Sequence, residues 1–167
     1  MGSTTLVSVD QYLNTSFPDG DREYVDGRIV ERHMGEVDHA DLQTSIVAYL
    51  RTHYRKMWSG VEVRVQVRKT RFRVPDITVV AGPRPEGHII TDPPHLVVEV
   101  LSPDDRAEDV QEKINDYLAF GVKFVWVVSP RSRNGWIHTA RGSHAAEDGL
   151  LTTTDPEIRL PLPEMFD

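Results

Sequence analysis

The stretch Leu96-Val97-Val98-Glu99-Val100-Leu101 decides the fold, because an apolar run of this length predicts a strand that is buried on both faces. One acid, Glu99, interrupts the run. An ionised carboxylate in such a strand loses much of its hydration energy unless a cation or hydrogen-bond donors replace the water. The sequence therefore predicts that Glu99 has a charged partner or binds a metal ion.

A second acid stands in a similar setting, in Val74-Pro75-Asp76-Ile77-Thr78-Val79-Val80. A loop rich in proline and glycine over residues 82–94 separates the two segments, which predicts that 75–80 and 95–100 form an antiparallel pair. With Val79 opposite Leu96, Asp76 lies opposite Glu99, and opposed side chains share a face at about 5 Å. A shift of one residue would place them on opposite faces.

The rest of the chain predicts an α/β fold with a mixed central sheet flanked by helices. A strand at 124–128 follows a predicted helix that runs from about Asp105 to Phe120, so this strand lies parallel to the Glu99 strand through a right-handed crossover. Asp105 and Glu108 have capping-box spacing, and Gly121 stands where a left-handed C-terminal cap belongs.

Further elements follow from hydrophobic periodicity and turn residues. The predicted elements are a short helix at 9–14, a hairpin at 23–30 around Asp26-Gly27, a long amphipathic helix at 37–57, a one-sided strand at 61–67, and closing strands at 135–141 and 150–154 that could form one hairpin. Residues 1–8 are expected to be a flexible N-terminus and 9–167 a single domain.

Composition is that of an ordinary globular protein, with 39% hydrophobic and 27% charged residues. The chain has no cysteine, no apolar stretch near the ~20 residues of a membrane span, and no signal-like N-terminus. Cysteine nucleophiles and cysteine-bound zinc are therefore excluded. We expect a cytoplasmic protein with no membrane partner.

Charge is unevenly distributed along the chain. Residues 51–73 hold eight basic residues against one acid, Glu62, so this segment carries +7 in a chain of net charge −7, and the remainder carries −14. A basic stripe on an acidic body is typical of a phosphate-binding surface, although a solvated strand and turn would look the same. The candidate contacts to DNA are Arg64, Arg68, Lys69, Arg71 and Arg73.

Asp76, Glu99 and Lys113 together suit phosphodiester hydrolysis. Magnesium prefers oxygen ligands and keeps several waters, so two carboxylates and a backbone carbonyl leave room for water and a phosphate oxygen. The ion lowers the pKa of a bound water, and a nearby ammonium stabilises the charge that grows on the phosphate. Mg²⁺ or Mn²⁺ is the expected cofactor.

A family resemblance rests on Pro75-Asp76, then Glu99-Val100-Leu101-Ser102, then Lys113 with Tyr117 and Gly121-Val122. Through these residues the chain resembles the Uma-two family of putative restriction endonucleases, within the PD-(D/E)XK nuclease superfamily. The resemblance extends from the Glu23 hairpin through His39 to Ser129-Pro130. It implies a restriction-endonuclease-like core.

The resemblance also implies roles for individual residues. Asp76, Glu99 and the carbonyl of Val100 correspond to metal ligands. The superfamily lysine usually follows the glutamate by two residues, where this chain has Leu101, so the resemblance implies that Lys113 on the next helix has taken its place. Glu23 and His39 match a further acid and histidine of the family.

Three functions are compatible with these residues. The leading hypothesis is a metal-dependent endonuclease acting on DNA, which we expect to be a homodimer if it cuts both strands. A catalytically idle nuclease fold that binds nucleic acid or protein is the alternative, and the net charge and Leu101 favour it. Metal-dependent hydrolysis of another phosphate ester is the third.

Overall fold

The computed structural model describes residues 5–33 and 35–166. Within them the strands are β1 (Glu23–Val25), β2 (Arg28–Val30), β3 (Trp58–Val61), β4 (Val65–Arg68), β5 (Arg71–Arg73), β6 (Ile77–Val80), β7 (Leu96–Val100), β8 (Phe124–Ser129), β9 (Asn134–Thr139), β10 (Gly142–Ala145), β11 (Leu150–Thr153) and β12 (Ile158–Pro161). The helices are α1 (Val9–Leu13), α2 (Val37–His53) and α3 (Ala107–Phe120), with a 3-10 turn at Leu162–Phe166. None of these helices combines the length and the apolar character that crossing a membrane requires.

The centre of the fold is a six-stranded mixed sheet in the order β10-β9-β8-β7-β6-β3. β6 and β7 are antiparallel with Val79 opposite Leu96, which confirms the predicted pairing and its register. β7 and β8 are parallel, as the α3 crossover predicts, and the remaining neighbours are antiparallel. The α/β class with a mixed central sheet is confirmed.

The two faces of the sheet are covered by different helices. Alternate residues of β7 such as Val98 pack with Ile46 and Leu50 of α2, whereas Val97 packs with Ile114 of α3. Because side chains alternate along a strand, Glu99 has the orientation of Val97 and faces α3. A buried acid therefore points at a helix that carries a lysine.

A smaller antiparallel sheet, β2-β1-β5-β4, packs against the outer side of α3. Val65 and Val67 of β4 join Ile114 and Val97 in one apolar cluster. The β1–β2 turn has Asp26 and Gly27 at φ 49° and 94°, as the predicted type I′ turn requires. This sheet carries Glu23 on β1 and the arginines of β5 toward α3.

Two strand predictions are wrong. The alternating valines of 61–67 do not form one strand, because Glu62 adopts φ 52° and the chain leaves the central sheet after β3 to enter the smaller sheet at β4. The closing strands do not form one hairpin either. β9 pairs with β10 across a turn at residues 140–141, so part of the segment expected to be a loop is a strand, and β11 pairs with β12 across a turn at residues 154–157.

The ends of the elements differ from the predictions in smaller ways. α2 ends at His53 rather than 57, and α3 begins after Arg106 without a side-chain cap. Asp105 instead accepts a hydrogen bond from the Ser102 amide at 2.7 Å, which fixes the turn after β7. Gly121 has the predicted left-handed conformation, with φ 110°.

The N-terminal segment is only partly described. Met1–Thr4 lie outside the described residues, so the predicted flexible end cannot be followed there. The Val7 amide donates to the Gly27 carbonyl at 2.8 Å, and Ser8 caps α1 through a capping box with Gln11. Val7 and Ser8 therefore contact the folded body, and the division into a flexible end at 1–8 and a single domain at 9–167 stays a prediction.

Candidate active site

Asp76 and Glu99 meet at the end of the β6–β7 pair. Ile77 lies opposite Val98, so one further step of the same register places Asp76 opposite Glu99. The two side chains are buried, with residue exposures of 3% and 6%. Asp76 Oδ2 accepts a hydrogen bond from the Val100 amide at 2.6 Å, and Gln43 of α2 donates to the Asp76 carbonyl at 2.9 Å. Both strands and α2 thus fix the position of Asp76.

Glu99 is held by two side chains of α3. The Tyr117 hydroxyl donates to Glu99 Oε1 at 2.5 Å, and Lys113 Nζ lies 3.6 Å from Oε2. Burial raises the pKa of Glu99 from 4.5 to about 7; Lys113 opposes this shift, while Asp76 and Glu23 add to it. The positive charge of Lys113 therefore does not fully offset the effect of burial on Glu99.

Lys113 links Glu99 to Glu23. Its Nζ lies 3.6 Å from Glu23 Oε1, and Glu23 also accepts hydrogen bonds from the Val74 amide at 3.0 Å and from Arg73 at 2.9 Å. Burial opposes the charged form of Lys113, but Glu99 and Glu23 outweigh it and raise the pKa of the lysine above its ordinary value. Lys113 is therefore a permanent cation at neutral pH.

His39 and Arg32 both approach Asp76 Oδ1. His39 Nε2 lies 3.3 Å from this oxygen, and its interaction with Asp76 raises the pKa of the histidine against the opposing effect of burial. Arg32 Nη2 lies 3.0 Å from the same oxygen. The structure thus brings together all five predicted catalytic positions, and it adds Arg32, which sequence reasoning missed.

Within the basic stripe, Arg64, Arg71 and Arg73 are engaged in ion pairs inside the protein. Arg64 binds Asp21 at 2.6 Å. Arg71 binds Asp26 at 2.5 Å and Asp116 at 2.9 Å. Arg73 binds Asp116 at 2.7 Å and Glu23 at 2.9 Å. Arg68 also reaches Asp116, at 3.4 Å, but stays largely exposed, and Lys69 is exposed. The interpretation of the whole stripe as a free phosphate-binding surface is wrong for Arg64, Arg71 and Arg73.

The site offers hard oxygen donors to a divalent ion. In antiparallel pairing the N–H and C=O of one residue point to the same neighbouring strand, so the Val100 carbonyl is expected on the side of Asp76. In the part of the chain that the structure describes, no three His, Cys, Asp or Glu side chains cluster as metal ligands. An ion here would need the Val100 carbonyl and water beside Asp76 and Glu99, which suits Mg²⁺.

A comparison with known families identifies the family of this chain. A sequence model of the Uma2 family, described as "Putative restriction endonuclease", matches residues 9–166. This chain belongs to the Uma2 family. No curated protein matches it significantly.

A solved structure gives the same fold. The crystal structure of a putative nuclease belonging to DUF820 from Anabaena variabilis superimposes with a TM-score of 0.80 at 21% sequence identity. The match covers 96% of this chain and 97% of that one. At this identity the likeness shows a common fold. The Uma2-family chain therefore has the restriction-endonuclease-like fold that the resemblance implied.

The raised pKa of Glu99 predicts a pH-dependent stability of the ion-free protein. Because the pKa of Glu99 rises on folding, protonated Glu99 contributes to the free energy of unfolding. This contribution is fully present below pH 4.5 and is lost as the pH rises through about 7. We expect a loss on the order of a few kcal/mol, at 1.36 kcal/mol per pKa unit. Glu99→Gln cannot ionise, so between pH 5 and 8 it should lose less stability than the wild type.

Urea unfolding in EDTA at several pH values measures this difference. Tyr117→Phe is not a suitable control because it touches Glu99, whereas Glu108→Gln alters an exposed acid of the same helix. Equal pH dependence of the wild type and Glu99→Gln would show that Glu99 is ionised throughout this range.

Proposed function

We propose that this Uma2-family protein is a metal-dependent endonuclease that hydrolyses phosphodiester bonds of DNA. The observation that carries the proposal is the convergence of Asp76 and Glu99 beside Lys113, whose Nζ lies 3.6 Å from Glu99 Oε2. Membership of a family described as a restriction endonuclease supports a nuclease acting on nucleic acid. The metal, the choice of DNA and the residue roles belong to the proposal.

Asp76, Glu99 and the Val100 carbonyl would hold Mg²⁺ or Mn²⁺. When bound, such an ion activates a water and neutralises charge on the phosphate. Asp76 is oriented for this by the Val100 amide, and Glu99 by Tyr117. These second contacts hold each carboxylate in a fixed orientation, which metal sites require of their ligands.

Lys113 would act as a cation and not as a base, because its neighbouring carboxylates hold its proton. An ammonium at this position stabilises negative charge that develops on the phosphate and orients the attacking water. Glu23, which Arg73 and the Val74 amide fix, would set the direction of the lysine. His39 would orient Asp76 through Oδ1, the oxygen that does not accept from the Val100 amide.

Cleavage assays test the proposal. Duplex, single-stranded and branched DNA are incubated with the protein in Mg²⁺, in Mn²⁺ and in EDTA, with RNA as a comparison substrate. We expect internal cuts in DNA that EDTA abolishes. Cutting that is independent of divalent ions, or cutting of RNA alone, would overturn the proposal.

A binding scaffold without catalysis is the second candidate. The observation that favours it is that Arg32 already pairs with Asp76, and Lys113 with Glu99, so protein cations meet both acids. Titration calorimetry separates the two functions. A nuclease should bind Mn²⁺ at a site that Glu99→Gln destroys, whereas a scaffold should bind no ion and should bind DNA or protein in EDTA.

The partner surface, the oligomeric state and the compartment stay predictions. Of the five candidate contacts to DNA, Arg68 and Lys69 lie exposed, so we keep these two as proposed contacts. A homodimer and a cytoplasmic location are likewise proposals.

A further inference from the structure

Arg32 occupies the oxygen of Asp76 that a metal ion would need. Asp76 Oδ2 accepts a hydrogen bond from the Val100 amide at 2.6 Å, which directs an ion toward Oδ1, the oxygen that His39 Nε2 also approaches at 3.3 Å. Arg32 Nη2 lies 3.0 Å from Oδ1, and the arginine side chain is only 17% exposed. The guanidinium is therefore a partly buried cation at the place where a divalent cation is proposed to bind.

A guanidinium and a divalent ion on one carboxylate oxygen repel each other. Their repulsion is strong in a buried site, where the effective dielectric constant is far below that of water. Lys113 Nζ lies 3.6 Å from Glu99 and from Glu23 and adds positive charge around the same position, and His39 beside Asp76 adds more when it is protonated. Binding of an ion thus favours the displacement of the cationic side chain that the fold holds least firmly.

Arg32 is the cation whose backbone is least constrained. It lies between the end of β2 and the start of α2, in a connecting segment outside any helix or strand, whereas Lys113 is held within α3 and His39 within α2. Its second partner, Glu62, is half exposed and 3.8 Å from Nη1. The side chain can therefore turn from Asp76 toward Glu62 and solvent without disturbing the sheet.

We propose that Arg32 holds Asp76 in the ion-free protein, leaves this carboxylate when a divalent ion binds, and then binds a phosphate of the substrate. This inference rests on the proposed nuclease function. The planar fork of a guanidinium suits two oxygens of a phosphate, and the released group lies next to the ion that attracts the same phosphate. Arg32 thus links binding of the ion to binding of DNA.

Two binding measurements on Arg32→Gln test whether Arg32 exchanges Asp76 for a phosphate. The affinities for the ion and for DNA should change in opposite directions. Calorimetry with Mn²⁺ alone should show about tenfold tighter binding, because the competing cation is gone. Fluorescence anisotropy with a DNA duplex in Ca²⁺ should show about tenfold weaker binding, because a phosphate contact is gone. Arg22→Gln removes the same charge from a pair in which Arg22 is partly exposed and Glu31 is exposed, and it should change neither value.

Nuclear magnetic resonance of the wild type gives a test that does not depend on the variant folding well. The Nε signal of Arg32, assigned through its loss in Arg32→Lys, should shift during titration with Mg²⁺ and shift again when a DNA duplex is added. The exchange would be refuted if the Arg32 Nε signal does not shift with Mg²⁺. It would also be refuted if Arg32→Gln leaves the Mn²⁺ affinity unchanged or weakens it.

The calorimetry also separates this inference from the proposed function. If the wild type binds no Mn²⁺ at all, the metal-dependent nuclease is refuted. If Glu99→Gln abolishes binding but Arg32→Gln does not tighten it, the nuclease stands and the role of Arg32 is refuted.

Discussion

Asp76→Asn and Glu99→Gln are each expected to lower the rate of metal-dependent DNA cleavage by at least about a thousandfold. Removing one preorganised electrostatic group from an active site costs about 10²–10³ in rate, and each change here would remove an ion ligand and thereby weaken several such effects together. Calorimetry on the same proteins should show loss of Mn²⁺ binding.

These two substitutions are chosen because each keeps one hydrogen bond that anchors the side chain while removing its charge. The amide oxygen of asparagine can still accept from Val100, and that of glutamine can still accept from Tyr117. Glu108→Ala, which removes an exposed acid of α3, should cut DNA at the wild-type rate. Undiminished cleavage by folded Asp76→Asn and Glu99→Gln would rule out the proposed site.

Lys113→Met should reduce cleavage about 100-fold without abolishing binding of Mn²⁺. The ammonium is proposed to stabilise charge in the transition state, and the loss of one such group has an effect of this size. Methionine fills a similar volume but carries no charge. The ion should bind at least as tightly as in the wild type, because Glu99 loses a competing cation 3.6 Å away.

Single-turnover cleavage and calorimetry together measure this separation of catalysis from binding. Lys123→Met, at an exposed position between α3 and β8, is the matched control and should behave as the wild type. Loss of Mn²⁺ binding in Lys113→Met would mean that the lysine supports the structure of the site. Wild-type cleavage would mean that it takes no part in the reaction.

The pairing of Asp76 with Glu99 could be predicted from sequence because two constraints coincide in β6 and β7. The apolar run around Glu99 requires burial on both faces, and the proline-rich loop before it favours an antiparallel return. Only one register then places the two acids directly opposite each other on the same face. The fold of the central sheet follows from such local patterns, and it could be predicted.

Arg32 and Asp116 could not be found in the same way. Neither lies in an apolar run whose interruption would signal a function, and their partners are far away in sequence. The pairing of Arg71 and Arg73 with Asp116 depends on how the smaller sheet packs on α3. A count of basic residues between 51 and 73 contains no information about that packing, so it overstated the charge that is free for DNA.

The strand predictions failed where pattern alone cannot separate one strand from two. The valines at 61, 63, 65 and 67 alternate without interruption, yet Glu62 turns the chain out of the central sheet. A left-handed glutamate has no sequence signature, because glycine or asparagine is the residue usually expected in that conformation. Elements near such a residue need the tertiary structure for their assignment.

The location of the lysine on α3 has a consequence for how the protein can lose activity. Where a nuclease carries its acid and its lysine on one strand, both stay aligned as long as that strand is paired. Here Glu99 belongs to the sheet, while Lys113 and Tyr117 reach it from a separate layer. Partial detachment of α3 would abolish the proposed cleavage activity while the β-strands stay intact. Heat or mild denaturant should therefore abolish cleavage before global unfolding begins.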